Sequence, residues 1–296
     1  MKGSSQAQPE IRSPAVLAAR LRRRPRTRRS PEARLPRKVW VGVGIVSVLV
    51  LVAVAAPLLA PYDPLAQEPT NKLAAPSGAH PLGTDELGRD VLSRLIYATR
   101  IDLPVGLLAA LLPFLVGTAI GTVAGFFGGW VDSVAMRISD VVQAFPSYIL
   151  VIALVFVLGP GAGSILVAFT VLGWVVYARL MRTEVLRVRY ADYVKAARVA
   201  GLPTRRIIVR DVFRNAVGPS IVFLPSDIVF ATLALAAFSF LGLGIPAPTP
   251  EWGAMIAEGQ PYIRDQWWLA TVPGVLIVFL GLGYSLLGEG LEESMH

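Results

Sequence analysis

Six apolar runs of near membrane length constrain this chain more than any other feature of it. They cover residues 39–60, 101–127, 134–158, 164–181, 216–243 and 267–287, with polar or proline-rich segments between them. In a helix, about 20 apolar residues cross the hydrocarbon core of a bilayer. Six such runs predict an all-α polytopic membrane protein with six transmembrane helices. The bulk values agree, with 54% hydrophobic and 16% charged residues and a mean hydropathy of +0.58. Lys and Arg set the orientation. If residues 1–38 stay inside, six crossings leave 23 of the 28 Lys/Arg inside and 5 outside, the bias expected of a multi-pass protein of the cell membrane with both termini cytoplasmic. The expected organisation is a disordered basic tail (1–38), a first transmembrane helix (39–60), an external loop (61–100), a domain of five further transmembrane helices (101–290) and a cytoplasmic C-terminus (291–296).

The net charge of +8 belongs to one segment. Residues 1–38 hold 12 Lys/Arg against 2 Asp/Glu, and the remainder of the chain is slightly acidic. An Arg-rich tail of this kind leans on anionic lipid. A nucleic-acid partner is not expected, because the Arg runs lack interleaved aromatic residues. A cleaved secretory signal is not expected either, since run 39–60 is too long for its apolar region.

Catalytic chemistry has little to work with. The chain has no cysteine, its only imidazoles are His80 and His296, and its four lysines (Lys2, Lys38, Lys72, Lys195) all lack the preceding glycine of a phosphate-binding loop. The reading is therefore a chain that is not an enzyme, with no metal site and no cofactor of its own.

Several residues inside the runs carry more than hydrophobicity. Gly117, Gly121 and Gly125 strip one helix face of side chains, which suits close helix packing better than a pore lining. Arg137 and Asp140 are spaced to pair on one helix face. Asp140, Gln143 and Pro146 bring polarity and a kink to the third run, and Asp227 lies inside the fifth, two residues after Pro225. An ionisable group at membrane depth is a candidate for the path of a solute, with pairing to a neighbour as the alternative. Trp252, Trp267 and Trp268 suit an interfacial aromatic belt. Outside the runs, Asp90 is placed to cap a helix that follows the turn-rich segment before it.

Residues 190–219 form a basic island between the fourth and fifth runs. Positions 191–200 favour helix, Gly201 is a natural residue for its C-terminal turn, and Pro203 forbids continuation. A second helical segment starts at Thr204. Ala196 and Ala197 are small enough to let this helix sit inside another protein's groove.

Here the chain resembles a known family. The core from Ala196-Ala197 to Gly201 looks like the EAA loop of permease subunits of ABC importers. Where the general pattern has Glu before the alanines and Leu-Pro near the end, this chain has Lys195 and Phe213-Arg214, and a basic residue before the alanines resembles the peptide-permease branch. The run His80-Pro81-Leu82-Gly83-Thr84-Asp85-Glu86-Leu87-Gly88-Arg89-Asp90-Val91-Leu92-Ser93-Arg94 resembles the hallmark after the first span of the C-type permease of dipeptide, oligopeptide and nickel importers. Asp140 followed by Ala144-Phe145-Pro146 is similar to the same family, as is the loop 245–266 with Glu251-Trp252-Gly253.

The resemblance implies a type I ABC importer permease fold that carries dipeptides or oligopeptides by alternating access. It implies four partners: a second homologous permease, ATPase subunits that bind ATP and magnesium, an extracellular substrate-binding protein and membrane lipid. Lys195, Ala196, Ala197, Gly201, Arg205 and Arg206 would meet the ATPase. Asp140, Gln143 and Asp227 are candidates for the translocation path, and His80, Gly83, Thr84, Asp85, Gly88, Arg89 and Asp90 mark the external loop. Nickel, glutathione, haem or another small solute is the alternative cargo. From a different class, the alternative is a structural membrane protein that binds lipid or nucleic acid through its tail.

Overall fold

A computed structural model describes residues 36–295; the basic tail up to position 35 and His296 lie outside the described residues. Nine helices of eight residues or more follow one another: α1 Arg37–Val54, α2 Val91–Phe127, α3 Gly129–Gln143, α4 Ser147–Leu158, α5 Ala162–Val188, α6 Asp192–Val199, α7 Gly218–Phe240, α8 Trp252–Gly259 and α9 Trp268–Met295. Five of them (α1, α2, α5, α7 and α9) are long and apolar enough to cross a membrane, and the bent pair α3–α4 makes a sixth crossing if counted as one. Seven threonines inside these spans (Thr99, Thr118, Thr122, Thr170, Thr183, Thr232 and Thr271) turn their hydroxyls onto the carbonyl four residues back. That arrangement satisfies each hydroxyl without leaving the helix.

The most extensive helix contact is α2 on α5. A Cβ at Gly117 would strike Trp174 O and one at Gly121 would strike Ala178 O, so the glycine stripe lets the two backbones touch. Helix α9 lies on α1 and α7, and Lys38 ties α1 to α9 through Glu289 and Glu293 at 2.9 Å each. Five apolar clusters run along the bundle among the described residues, and three of them position the elements that matter here. One gathers α1, α2, α8 and α9 around Leu95, Trp252 and Leu280; a second joins α2, α4, α5 and α7 around Val155, Leu235 and Phe238. The third seats segment 192–216 on the end of α5 through Val185, Val194, Ile207 and Val212.

Four expectations are corrected. The loop expected over 61–100 closes at Asp90, because the Asp90 side chain caps Ser93 N and starts α2 there. The third run is not one helix: α3 and α4 meet at 87°, since Pro146 ends the helical hydrogen bonding and keeps Phe145 out of helical conformation. Asp140 pairs with Arg179 of α5 at 2.8 Å rather than with Arg137, because α5 runs alongside and presents its cation across the helix gap. Trp252 is no belt residue. It is fully buried beneath α8, whereas Trp267 is exposed.

Candidate functional site

Three groups of residues are arranged for function, and they lie at different levels of the bundle. At the end where α2 begins, segment 80–94 folds into a small ionic cluster. Gly83 and Gly88 have φ of +70° and +77°, and a Cβ on either would collide with the backbone carbonyls of Ala74 or Glu68. Those turns bring Asp85 back over Arg89, with an isolated bridge between Thr84 and Asp90. Asp85 Oδ1 accepts from the amides of Leu87 and Arg89, and its Oδ2 accepts from Arg89 Nε at 2.7 Å and Arg94 Nη1 at 2.5 Å. Both guanidinium groups also reach Glu258 on α8, at 3.1 and 2.6 Å. Thr84 accepts from Ala74 N and donates to Asn71 O, which holds the preceding loop down. His80 stacks on Tyr62 and joins Asp90 at 2.9 Å through Nδ1. At the outer edge Tyr262 donates to Glu86, and that carboxylate holds the Tyr262 phenol above its ordinary range.

Beside this cluster sits a pair of buried carboxyl groups. Asp102 Oδ2 accepts from Trp252 N at 3.1 Å, and Glu251 caps α8 by accepting from the amides of Gly253 and Ala254. Segment 80–94 and Asp102 thus act as a clamp that fixes α8 against α2. It exposes little to a solute, since Asp85, Arg89, Asp90 and Arg94 are all buried.

At the other end of the bundle, helix α6 stops as its sequence predicts. Gly201 has φ +73°, its N–H donates to Arg198 O at 3.0 Å, and Leu202 N donates to Ala197 O at 3.2 Å. This is the double closure that a glycine after a helix permits. Pro203 then begins the turn 204–206, and residues 207–213 continue as a π-helix. Val194 and Ile207 anchor the segment in the core, whereas Lys195, Ala196, Gly201, Arg205 and Arg206 are exposed and Ala197 is half-buried. Val199, at the tip, is 90% exposed. Nearby cations are spent on structure: Arg182 grips Asp132 on α3, and Arg189 donates to Gly125 O at the end of α2.

Between these ends a cavity of about 250 Å³ opens among α2, α4, α5 and α7, and Asp227 lines it. Tyr177 donates to Asp227 Oδ2 at 2.8 Å. Gln143 lies lower, in a groove with Arg179 and Glu184, close to the exposed Asp140–Arg179 pair. The three residues expected along a path therefore fall at two levels, Asp227 within the cavity and Asp140 with Gln143 below it.

Sequence reasoning missed Asp102, Glu258 and Tyr177, and it gave Glu251 only within the resemblance of loop 245–266, without its capping role. Asp102 had a signal, a carboxylate at the start of an apolar run. Glu258 had none, because its partners stand 164 and 169 residues away.

Residues 117–296 match the family model described as the binding-protein-dependent transport system inner membrane component, and residues 37–76 match that of the N-terminal transmembrane domain of oligopeptide transport permease C. The chain is 41% identical to the dipeptide transport system permease protein DppC of Bacillus subtilis, over 86% of this chain and 80% of the relative. It is 36% identical to the protein of the same name from Alkalihalophilus pseudofirmus, over 86% and 84%. The oligopeptide transport system permease protein OppC of Bacillus subtilis is 35% identical over the same shares. A solved structure titled as inward-facing conformations of the MetNI methionine ABC transporter superposes with a TM-score of 0.53 at 16% identity, covering 68% of this chain and 95% of that one. The last likeness concerns the fold alone.

Proposed function

This chain belongs to the family of binding-protein-dependent transport system inner membrane components, and on that premise we propose that it is the permease half of an ATP-driven importer of dipeptides or oligopeptides. As a member of that family it is a non-catalytic membrane component. Its partners are a second homologous permease, ATPase subunits and an extracellular binding protein that delivers the peptide. ATP and magnesium are bound by the ATPases and not by this chain. It crosses the cell membrane with both termini in the cytoplasm, the arrangement favoured by 23 of its 28 Lys/Arg.

The observation that carries this reading is the α6 tip. A short helix seated by Val194 leaves Ala196 and Val199 exposed, and the turn after it leaves Arg205 and Arg206 exposed. A small-residue helix with an apolar tip fits a cleft in a partner. Closure of the ATPases around ATP would push on this segment. The push reaches α5 through the core that packs 192–216 onto it, and α7 through the chain that follows residue 216 directly, a rigid-body route to alternating access. The peptide cargo is supported by the names of the dipeptide and oligopeptide relatives.

The test is to tag the chain, purify it gently from its native membrane and assay the ATPase activity that accompanies it. A second permease and an ATPase should co-purify, and a peptide-loaded binding protein should raise hydrolysis. Gly201→Trp should keep the assembled spans but lose the stimulation, because no bulky residue adopts φ +73° without strain and the tip would no longer fit its cleft. Recovery of the chain alone, without ATPase activity, would overturn the reading.

A further inference from the structure

The cavity around Asp227 is built unlike the rest of the bundle. Six aromatic rings line it (Tyr148, Phe169, Tyr177, Phe223, Phe230 and Phe238), together with Asp227 and Ser147. The rings gather in two groups: Tyr177 meets Phe223 at 5.5 Å between centroids, and Tyr148 meets Phe238 at 6.0 Å and Phe230 at 6.3 Å while Phe169 meets Phe238 at 6.4 Å. No Lys, Arg or His is among the lining residues. Asp227 Oδ2 takes the Tyr177 hydroxyl proton in a hydrogen bond, and Oδ1 has no hydrogen-bond partner among the described residues. A carboxylate at membrane depth is costly unless something cationic answers it.

Resting on the importer reading above, we infer that this cavity is a subsite for a primary ammonium, the free α-amino end of a passing peptide. Asp227 Oδ1 accepts one of the three ammonium N–H donors, and the Ser147 and Tyr177 hydroxyl oxygens are available to the others. The aromatic faces stabilise the charge from the sides, as rings do for alkylammonium groups. A divalent metal suits the site poorly, because such ions gather several oxygen ligands and no group of three or more His, Cys, Asp or Glu among the described residues could hold one. The Tyr177 hydrogen bond positions the carboxylate, fixing which oxygen faces the cavity. The site takes the charged end common to every unblocked peptide and ignores its side chains, which suits a path that must release what the binding protein has already selected.

The experiment uses the purified importer complex without its binding protein and two probes, dialanine and N-acetyl-dialanine, with binding read by ligand-observed NMR. A charge-assisted hydrogen bond is worth about a ten- to hundredfold difference in affinity, so dialanine should bind more tightly than its acetylated form by about that factor. Asp227→Asn should bring the two affinities together, and Asp227→Glu should restore part of the difference. Equal affinities in the unaltered complex, or undiminished discrimination in Asp227→Asn, overturn the inference. If Asp227→Asn fails to assemble, competition in the unaltered complex decides. Displacement of dialanine by ethylammonium supports the site, and failure to displace it overturns it. Stimulation of ATP hydrolysis by the loaded binding protein is measured on the same preparation. Its loss there counts against the importer reading, whereas intact stimulation without discrimination removes only the ammonium site.

Discussion

Two aspartates show how position decides what an ion pair is worth. Asp85 is 6% exposed and holds two guanidinium groups that Glu258 also shares. Asp140 pairs with a single Arg179, and both side chains are largely in solvent or at the bundle surface. Removing one partner of a buried, hydrogen-bonded ionic cluster strands the remaining charges, at a cost of about 3–5 kcal/mol. An exposed pair is worth about 0–1 kcal/mol. Asp85→Asn should therefore lower the thermal denaturation midpoint of the detergent-solubilised complex clearly, and Asp140→Asn should barely move it. Equal midpoints for the two variants would mean that the clamp on α8 contributes nothing to stability.

At the level of elements, α2 and α5 depend on a stripe without side chains. A Cβ at Gly121 would meet backbone as well as Met181, so the helices must part before any larger residue fits. Overpacking in a core costs about 1–3 kcal/mol even where side chains can give way, and backbone cannot. Gly121→Leu should reduce the yield of assembled complex and its melting temperature, whereas Gly44→Leu, where the added atom meets nothing within 4 Å, should not. This stripe was legible in the sequence because a four-residue period is a local signal. The cap at Asp90 and the stop at Gly201 were legible for the same reason, each set by two or three adjacent residues. What could not be read was whatever a second element supplies. Asp140 has its spaced partner Arg137 on the same helix but takes Arg179 from α5. Trp252 looks interfacial in sequence, yet it is buried in a core shared with α2, α7 and α9. Pro146 announced a kink, but its 87° size depends on how α3 and α4 each dock.

For the molecule as a whole, the open question is how much the Arg-rich N-terminus contributes, and the packing of α1 says where to cut. Lys38 is bound to Glu289 and Glu293, and Val39 lies so close to Gly290 that a Cβ there would overlap its side chain. A truncation through residue 38 would remove that tie between α1 and α9 and confuse two effects. A truncation of residues 1–34 leaves it intact. It removes ten of the 28 Lys/Arg, so in the orientation proposed above 13 would remain inside against 5 outside, still the bias that sets orientation. Segment 192–216 and the aromatic cavity are built wholly from later residues. The truncated chain should therefore insert with the same topology, as read by cysteine accessibility at introduced loop sites. It should also assemble with its partners and keep the ATPase stimulation by loaded binding protein. If the protein's work were instead to hold lipid or nucleic acid through its tail, the same truncation would abolish function while leaving the helices folded. Loss of stimulation in a correctly inserted, assembled complex would thus assign to the N-terminus a role that the membrane domain does not supply.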